Sequence, residues 1–169
     1  MYRIAIVDDM KRDADLISAF LQRYQEEKSV ALNWTWISSG EALLTDYQMQ
    51  YDIIFLDIRM QGLNGMDAAR KLRERDQTVI LVFLTSLAQY AVQGYEVDAM
   101  AYIIKPVTYP ALKMILTKAI GRCVKEAPNV LINTGSSRVC VKSDELKYIE
   151  MSVKGAECAS QPGLSFIAI

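Results

Sequence analysis

The chain has 169 residues, 51% of them hydrophobic and 23% charged, with a formal net charge of −1. This is the composition of one ordinary folded domain, or of one domain and a fragment, and it argues against disorder and against any need for disulfides or a structural metal. Near-neutral charge leaves no electrostatic footprint for nonspecific nucleic-acid binding, so any DNA contact must be local. Histidine is absent, which excludes Ser-His-Asp and Cys-His nucleophiles, histidine metal ligands and a phosphohistidine in the chain itself. Chemistry must rest on carboxylates, hydroxyls and lysines. Cys123, Cys140 and Cys158 form no C-x-x-C pair and are odd in number, as expected of reduced thiols in a cytoplasmic protein. Asp8 and Asp9 interrupt the place where a secretory signal would need its apolar core. The longest apolar runs, such as Val79 to Leu84, fall far short of the roughly 20 residues of a membrane-crossing helix.

In chain order, Arg3 to Val7 is a short apolar run, followed by a helical pattern with Leu16, Ile17, Phe20, Leu21 and Tyr24 on one face. Leu32, Trp34 and Trp36 alternate with smaller or polar residues, which predicts an edge strand. Ser38-Ser39-Gly40-Glu41 offers a Ser-x-x-Glu capping box for a helix that buries Leu43, Leu44 and Tyr47. Ile53 to Leu56, Val79 to Leu84 and Tyr102 to Ile104 are further nearly continuous apolar runs and, with the first, predict central parallel strands covered on both faces. Met66, Ala69 and Leu72 mark one intervening helix, and Leu112, Ile115, Leu116 and Ala119 the last. Five strands alternating with five helices by about residue 126 predict an α/β doubly wound parallel sheet, in which ligands bind at the carboxyl ends of the strands.

Those ends carry Asp8-Asp9, Asp57, Thr85-Ser86 and Lys105-Pro106. Each has an ordinary structural reading: Asp8 or Asp9 capping the first helix, Thr85 or Ser86 the fourth, Asp57 in a loop, Lys105 a solvated charge at a turn. Together they point elsewhere. Carboxylates crowded at one rim repel unless a hard divalent cation lies among them, and Mg²⁺ with oxygen ligands suits that place. One carboxylate oxygen then remains as a nucleophile toward phosphorus, with a hydroxyl and a lysine to hold the other phosphoryl oxygens.

The segments Ile6-Val7-Asp8-Asp9, Phe55-Leu56-Asp57-Ile58-Arg59-Met60, Gly62-Leu63-Asn64-Gly65, Leu84-Thr85-Ser86 and Tyr102-Ile103-Ile104-Lys105-Pro106 stand in order. On them, residues 1–126 resemble the receiver domain of bacterial two-component response regulators. The resemblance implies a flavodoxin-like sheet of order 2-1-3-4-5 and a phosphoryl group accepted on Asp57 from a histidine kinase. It implies Mg²⁺ held by Asp9, Asp57 and the backbone carbonyl of Arg59, with Asp8 helping through water. It also implies Thr85 and Lys105 on phosphoryl oxygens, a cis peptide at Lys105-Pro106, and Thr85 with Tyr102 as the switch pair. Homodimerisation through the fourth helix, fifth strand and fifth helix follows from the same likeness. Gln61 stands where many receivers carry proline. Leu87, two residues after Thr85, cannot orient an attacking water by hydrogen bonding, so slow loss of the phosphoryl group is expected.

Beyond Pro128, Val130, Ile132, Val139 and Val141 alternate with polar residues around Gly135-Ser136-Ser137, predicting a hairpin, and Lys147 to Met151 could add a third strand. Residues 130–150 resemble the opening of a LytTR-type DNA-binding domain, which makes 127–169 an incomplete output domain with an irregular tail from Val153 to Ile169. This stretch holds four basic residues, Arg138, Lys142, Lys147 and Lys154, against four acidic ones, Asp144, Glu145, Glu150 and Glu157. Balanced charge argues against autonomous DNA binding. The expected function is that of a transcriptional response regulator; the alternative is a stand-alone receiver acting through protein contacts or as a phosphate sink. A phosphatase of the haloacid dehalogenase type would want Asp-x-Asp after the first strand, where this chain has adjacent Asp8-Asp9, so no enzyme is expected.

Overall fold

Continuous apolar runs have two faces to bury, and a sheet with helices on both sides buries them. A computed structural model describes residues 1–86 and 96–126, together with strands between 129 and 167, with side chains described as far as Cys123. Strands β1 (Tyr2–Val7), β2 (Leu32–Ile37), β3 (Ile53–Asp57), β4 (Ile80–Thr85) and β5 (Ala101–Ile104) form one sheet of order β2-β1-β3-β4-β5. Every pairing in it is parallel. β1, β3 and β4 lie in the middle and are the most deeply buried, with Phe55, Phe83, Ile4 and Ile6 wholly enclosed. The expectation that Tyr102 to Ile104 is also central is corrected: β5 is the far edge, and Ile104 is 57% exposed. Among the described residues nothing pairs with its outer side, and apolar content alone could not reveal this place.

Helices α1 (Lys11–Lys28), α2 (Gly40–Thr45), α3 (Gly65–Arg73) and α4 (Tyr109–Glu126) are the described helices of the alternation. The expected helix between β4 and β5 would fall on residues 87–95, outside the described residues, so α4 here is the last helix. α3 buries Met66, Ala69 and Leu72, and α4 buries Leu112, Ile115, Leu116 and Ala119, as their spacing predicts. In α1 the buried set is Ala14, Ile17, Leu21 and Tyr24. Leu16 lies outside it, because the inward stripe is centred one position further round the helix. Ser39, rather than Ser38, caps α2, accepting from the Ala42 N–H at 3.1 Å. The expected box does not close, because Glu41 instead accepts from the Leu63 N–H at 2.6 Å. Among the described residues no helix is long and apolar enough to cross a membrane.

Residues 1–121 and 122–169 form two compact units. In the second, β6 (Asn129–Thr134) and β7 (Ser137–Lys142) make the predicted antiparallel hairpin. β8 (Leu146–Ser152) does not extend it. It pairs with β9 (Gly155–Ser160), which pairs with β10 (Ser165–Ile167), in a separate antiparallel sheet. The expected irregular tail therefore contains two strands. Gly155-Ala156-Glu157-Cys158-Ala159-Ser160 has little alternation of apolar and polar residues to announce a strand; its backbone pairs with β8 from Ser152↔Gly155 to Leu146↔Ser160.

Candidate functional site

Register explains why distant residues meet at one rim. Val7 pairs with Leu56, Asp57 with Leu84, and Thr85 with Ile104. Asp8 therefore continues β1 beside Asp57, and Lys105 continues β5 beside Thr85. Asp8, Asp57 and Thr85 are buried, and Asp9 is half-buried. One oxygen from each of Asp8, Asp9 and Asp57 lies within 4.8 Å of the others. Three oxygen donors this close match what a hard divalent cation requires, and without one their mutual repulsion is expensive.

The Lys105 ammonium reaches the same place from β5. Its Nζ lies 2.8 Å from Asp8 Oδ2, 2.7 Å from Asp13 Oδ2 and 3.2 Å from Asp57 Oδ2. The Lys105-Pro106 peptide is cis, as the resemblance implies. Burial pushes the Asp57 carboxyl above its ordinary range and the Asp8 charge adds to this, against the opposing pull of Lys105. For Lys105 burial acts downward, but hydrogen bonds to Asp13 and Asp8 and the charge of Asp57 outweigh it, and its pKa is raised. The ammonium is held charged.

The loop after β3 is shaped around Asp57. Asn64 caps α3 by accepting from the Asp67 N–H at 2.9 Å. Gly65 opens the helix so close to the strand that a Cβ there would lie 2.1 Å from the Asp57 carbonyl oxygen. The Gln61 N–H donates to Asp9 Oδ2 at 3.0 Å, so a proline at this position would remove that bond. Arg59 contributes a backbone hydrogen bond to the Asp57 carboxylate.

The capping reading of Asp8 and Asp9 does not hold. Met10 is the N-cap of α1 without a side-chain cap, and Asp8 Oδ1 accepts from the Met10 N–H at 2.9 Å. The corresponding reading for Thr85 or Ser86, and the position of Leu87, concern a helix and a residue outside the described set. Tyr102 stacks on Phe83, with ring centroids 5.2 Å apart. Its hydroxyl is buried without a hydrogen-bond partner among the described residues, and burial raises its pKa. Sequence reasoning missed two participants. Trp36 donates its indole N–H to the Asp8 carbonyl at 2.9 Å, and Asp13 holds Lys105. Asp13 and Lys105 are 92 residues apart, so no local spacing in the sequence signals the pair.

The family model described as the response regulator receiver domain matches residues 4–117. The chain belongs to that family. Among curated relatives, the sensory transduction protein LytT of Bacillus subtilis is 27% identical over 158 residues, covering 88% of this chain and 64% of LytT. The transcriptional regulatory protein ResD of the same organism is 32% identical over 143 residues, covering 83% and 57% respectively. LytR of Staphylococcus aureus, also a transcriptional regulatory protein, is 33% identical over 99 residues, covering 57% and 39%. The chain thus spans less than two thirds of the length of these relatives. Among solved structures, the response regulator TrrA from Thermotoga maritima in complex with Mg²⁺ and BeF is 28% identical, with a TM-score of 0.61 over 70% of this chain and 99% of TrrA. The response regulatory domain of mrkE from Klebsiella pneumoniae has a TM-score of 0.64 at 23% identity, over 73% of this chain and 99% of that one, and shares the receiver fold.

Proposed function

We propose that this receiver takes a phosphoryl group on Asp57 from the phosphohistidine of a histidine kinase. The observation that carries this is a buried aspartate at a central strand end, with two carboxylates within 4.8 Å and an ammonium at 3.2 Å. A carboxylate oxygen of Asp57 attacks phosphorus, the new P–O bond replaces the P–N bond, and the imidazole leaves on the kinase. The chain has no histidine of its own, so the phosphoryl group comes from another protein or from a small-molecule donor. Lys105 exchanges a carboxylate partner for a phosphoryl oxygen, and the Thr85 hydroxyl donates to a second one. Asp9, Asp57 and the Arg59 carbonyl, with Asp8 behind, would hold Mg²⁺, which would supply neutralisation of the charge that builds up on the transferred group. Drawing Thr85 toward the phosphoryl group vacates space beside β5, and Tyr102, whose hydroxyl has no partner among the described residues, is the side chain to fill it.

The receiver on this reading ends with α4, near residue 126, and the strands from 129 onward belong to an output segment. Transcriptional control is the favoured output, supported by relatives whose names are those of transcriptional regulators. Balanced charge in residues 127–169 favours a second reading, output through protein contacts. The primary test is incubation with phosphoramidate and Mg²⁺, followed by intact mass. One phosphoryl increment on the wild-type chain and none on Asp57→Asn is expected; uptake by Asp57→Asn would overturn the assignment. Titration of the chain, loaded with Mg²⁺ and beryllofluoride, against a randomised duplex pool separates the two outputs.

A further inference from the structure

We propose that Asp13 is a positioning residue that restrains phosphoryl capture by holding the Lys105 ammonium; the inference rests on Asp57 being the acceptor. Lys105 Nζ touches three carboxylates, and they are not equivalent. Asp8 and Asp57 belong to the acidic trio at the strand ends, whereas Asp13 stands outside it on the first turn of α1. Its Oδ2 is the nearest of the three to Nζ, at 2.7 Å against 2.8 and 3.2 Å. When the trio is engaged by a cation, Asp13 is the carboxylate still free to hold Lys105.

An acidic residue in the first turn of a helix ordinarily serves the helix dipole. Here the carboxylate is bonded across to another element, and α1 has no side-chain cap at Met10. The Asp13 side chain is also 40% exposed, while Lys105 is 17% exposed. A cavity of about 600 Å³ lined by Arg12, Asp13, Leu16, Lys105, Pro106 and Val107 opens beside the pair. Asp13 can therefore return to water at little cost when Lys105 leaves it, which the enclosed Asp8 and Asp57 cannot do.

Two electrostatic effects then act with one sign. An incoming phosphoryl oxygen must compete with Asp13 for the ammonium, and the Asp13 charge offsets the field that Lys105 presents to an anion at Asp57. Removing that charge strengthens capture of an anion. The same removal takes one negative charge from the neighbourhood of the acidic trio and so weakens capture of a cation. A loss of local structure around α1 would weaken both.

The experiment uses the full chain. Mg²⁺ affinity is measured alone, and beryllofluoride affinity at saturating Mg²⁺, by tryptophan emission, to which Trp36, bonded to the Asp8 carbonyl, contributes. For Asp13→Asn, beryllofluoride should bind about three- to tenfold more tightly and Mg²⁺ up to about twofold more weakly, and the difference should shrink with added salt. Asp13→Glu should restore wild-type behaviour. Asp15→Asn, which removes a carboxylate paired with Lys11 on the same helix, should change neither affinity. Unchanged or weaker beryllofluoride binding by Asp13→Asn, or a parallel loss of both ligands, overturns the proposal. If the wild-type chain takes Mg²⁺ but no beryllofluoride, the acceptor reading itself falls, and this inference with it.

Discussion

Gly65→Ala reverses the usual sign of a glycine-to-alanine change in a helix. In an open helical position this substitution stabilises by about 0.5–1 kcal/mol, because alanine loses less backbone freedom on folding. At Gly65 the new Cβ would stand 2.1 Å from the Asp57 carbonyl oxygen and 2.9 Å from both the Asp57 carbonyl carbon and Ile58 Cα. An ordinary carbon–oxygen contact needs roughly 1 Å more, and all three obstacles are backbone atoms that cannot rotate aside. The start of α3 must move off β3, for an expected net loss of about 2–3 kcal/mol. Gly121→Ala is the internal control: among the described residues nothing outside its own turn of α4 lies within 4 Å of its Cβ, so it should gain about 0.5–1 kcal/mol. Urea unfolding followed by tryptophan emission reads this unit, since the two tryptophans of the chain, Trp34 and Trp36, both lie in β2. Mg²⁺ affinity of Gly65→Ala should fall as well, because the displaced start of α3 is joined to Asp57 by the loop that carries Arg59 and Gln61. A Gly65→Ala chain as stable as the wild type would refute the close approach of α3 to the acceptor strand.

Asp76 is buried and accepts from Tyr47 Oη at 2.6 Å, the Thr78 N–H at 2.7 Å, Thr78 Oγ1 at 2.8 Å and the Val79 N–H at 3.0 Å. Asp76→Ala strands these donors and should cost about 3 kcal/mol or more in urea unfolding at neutral pH; a loss below about 1 kcal/mol would refute the network's role. Burial acts to raise the Asp76 pKa, but those hydrogen bonds outweigh it and hold the carboxyl below its ordinary range. Its contribution is therefore complete above the ordinary carboxylate range and lost as pH falls through the depressed value, so wild type and Asp76→Ala should converge in acid. Tyr102→Phe removes a buried hydroxyl without a partner among the described residues and should raise stability by about 1 kcal/mol in thermal unfolding; a lower midpoint would show that the hydroxyl is satisfied. Leu87→Asn should shorten the lifetime of the phosphorylated chain, followed by intact mass after the donor is removed, and an unchanged lifetime would count against the role given to Leu87.

Hydrophobic runs by themselves determined the alternation of strand and helix, and the residues just past those runs determined the chemistry at the rim. Ile53 to Leu56 is too short and too uniformly apolar to be other than a covered strand, so Asp57 had to stand at its end. Tertiary structure decided whatever depends on one element's approach to another. Ser39 rather than Ser38 caps α2, because the local sequence permits either and the path of the chain selects one. Glu41 leaves its expected box for Leu63, and the approach of α3 to Asp57 makes Gly65 obligatory. Neither partner is near in sequence. Asp13 is the clearest case: in the sequence it is one more acidic residue in a helix's first turn, and only the parallel pairing that brings β5 beside β4 places Lys105 within its reach. The physical reason is the same throughout. Periodicity reports burial, which is a property of each segment, whereas the partner of a charge is a property of the distance between segments.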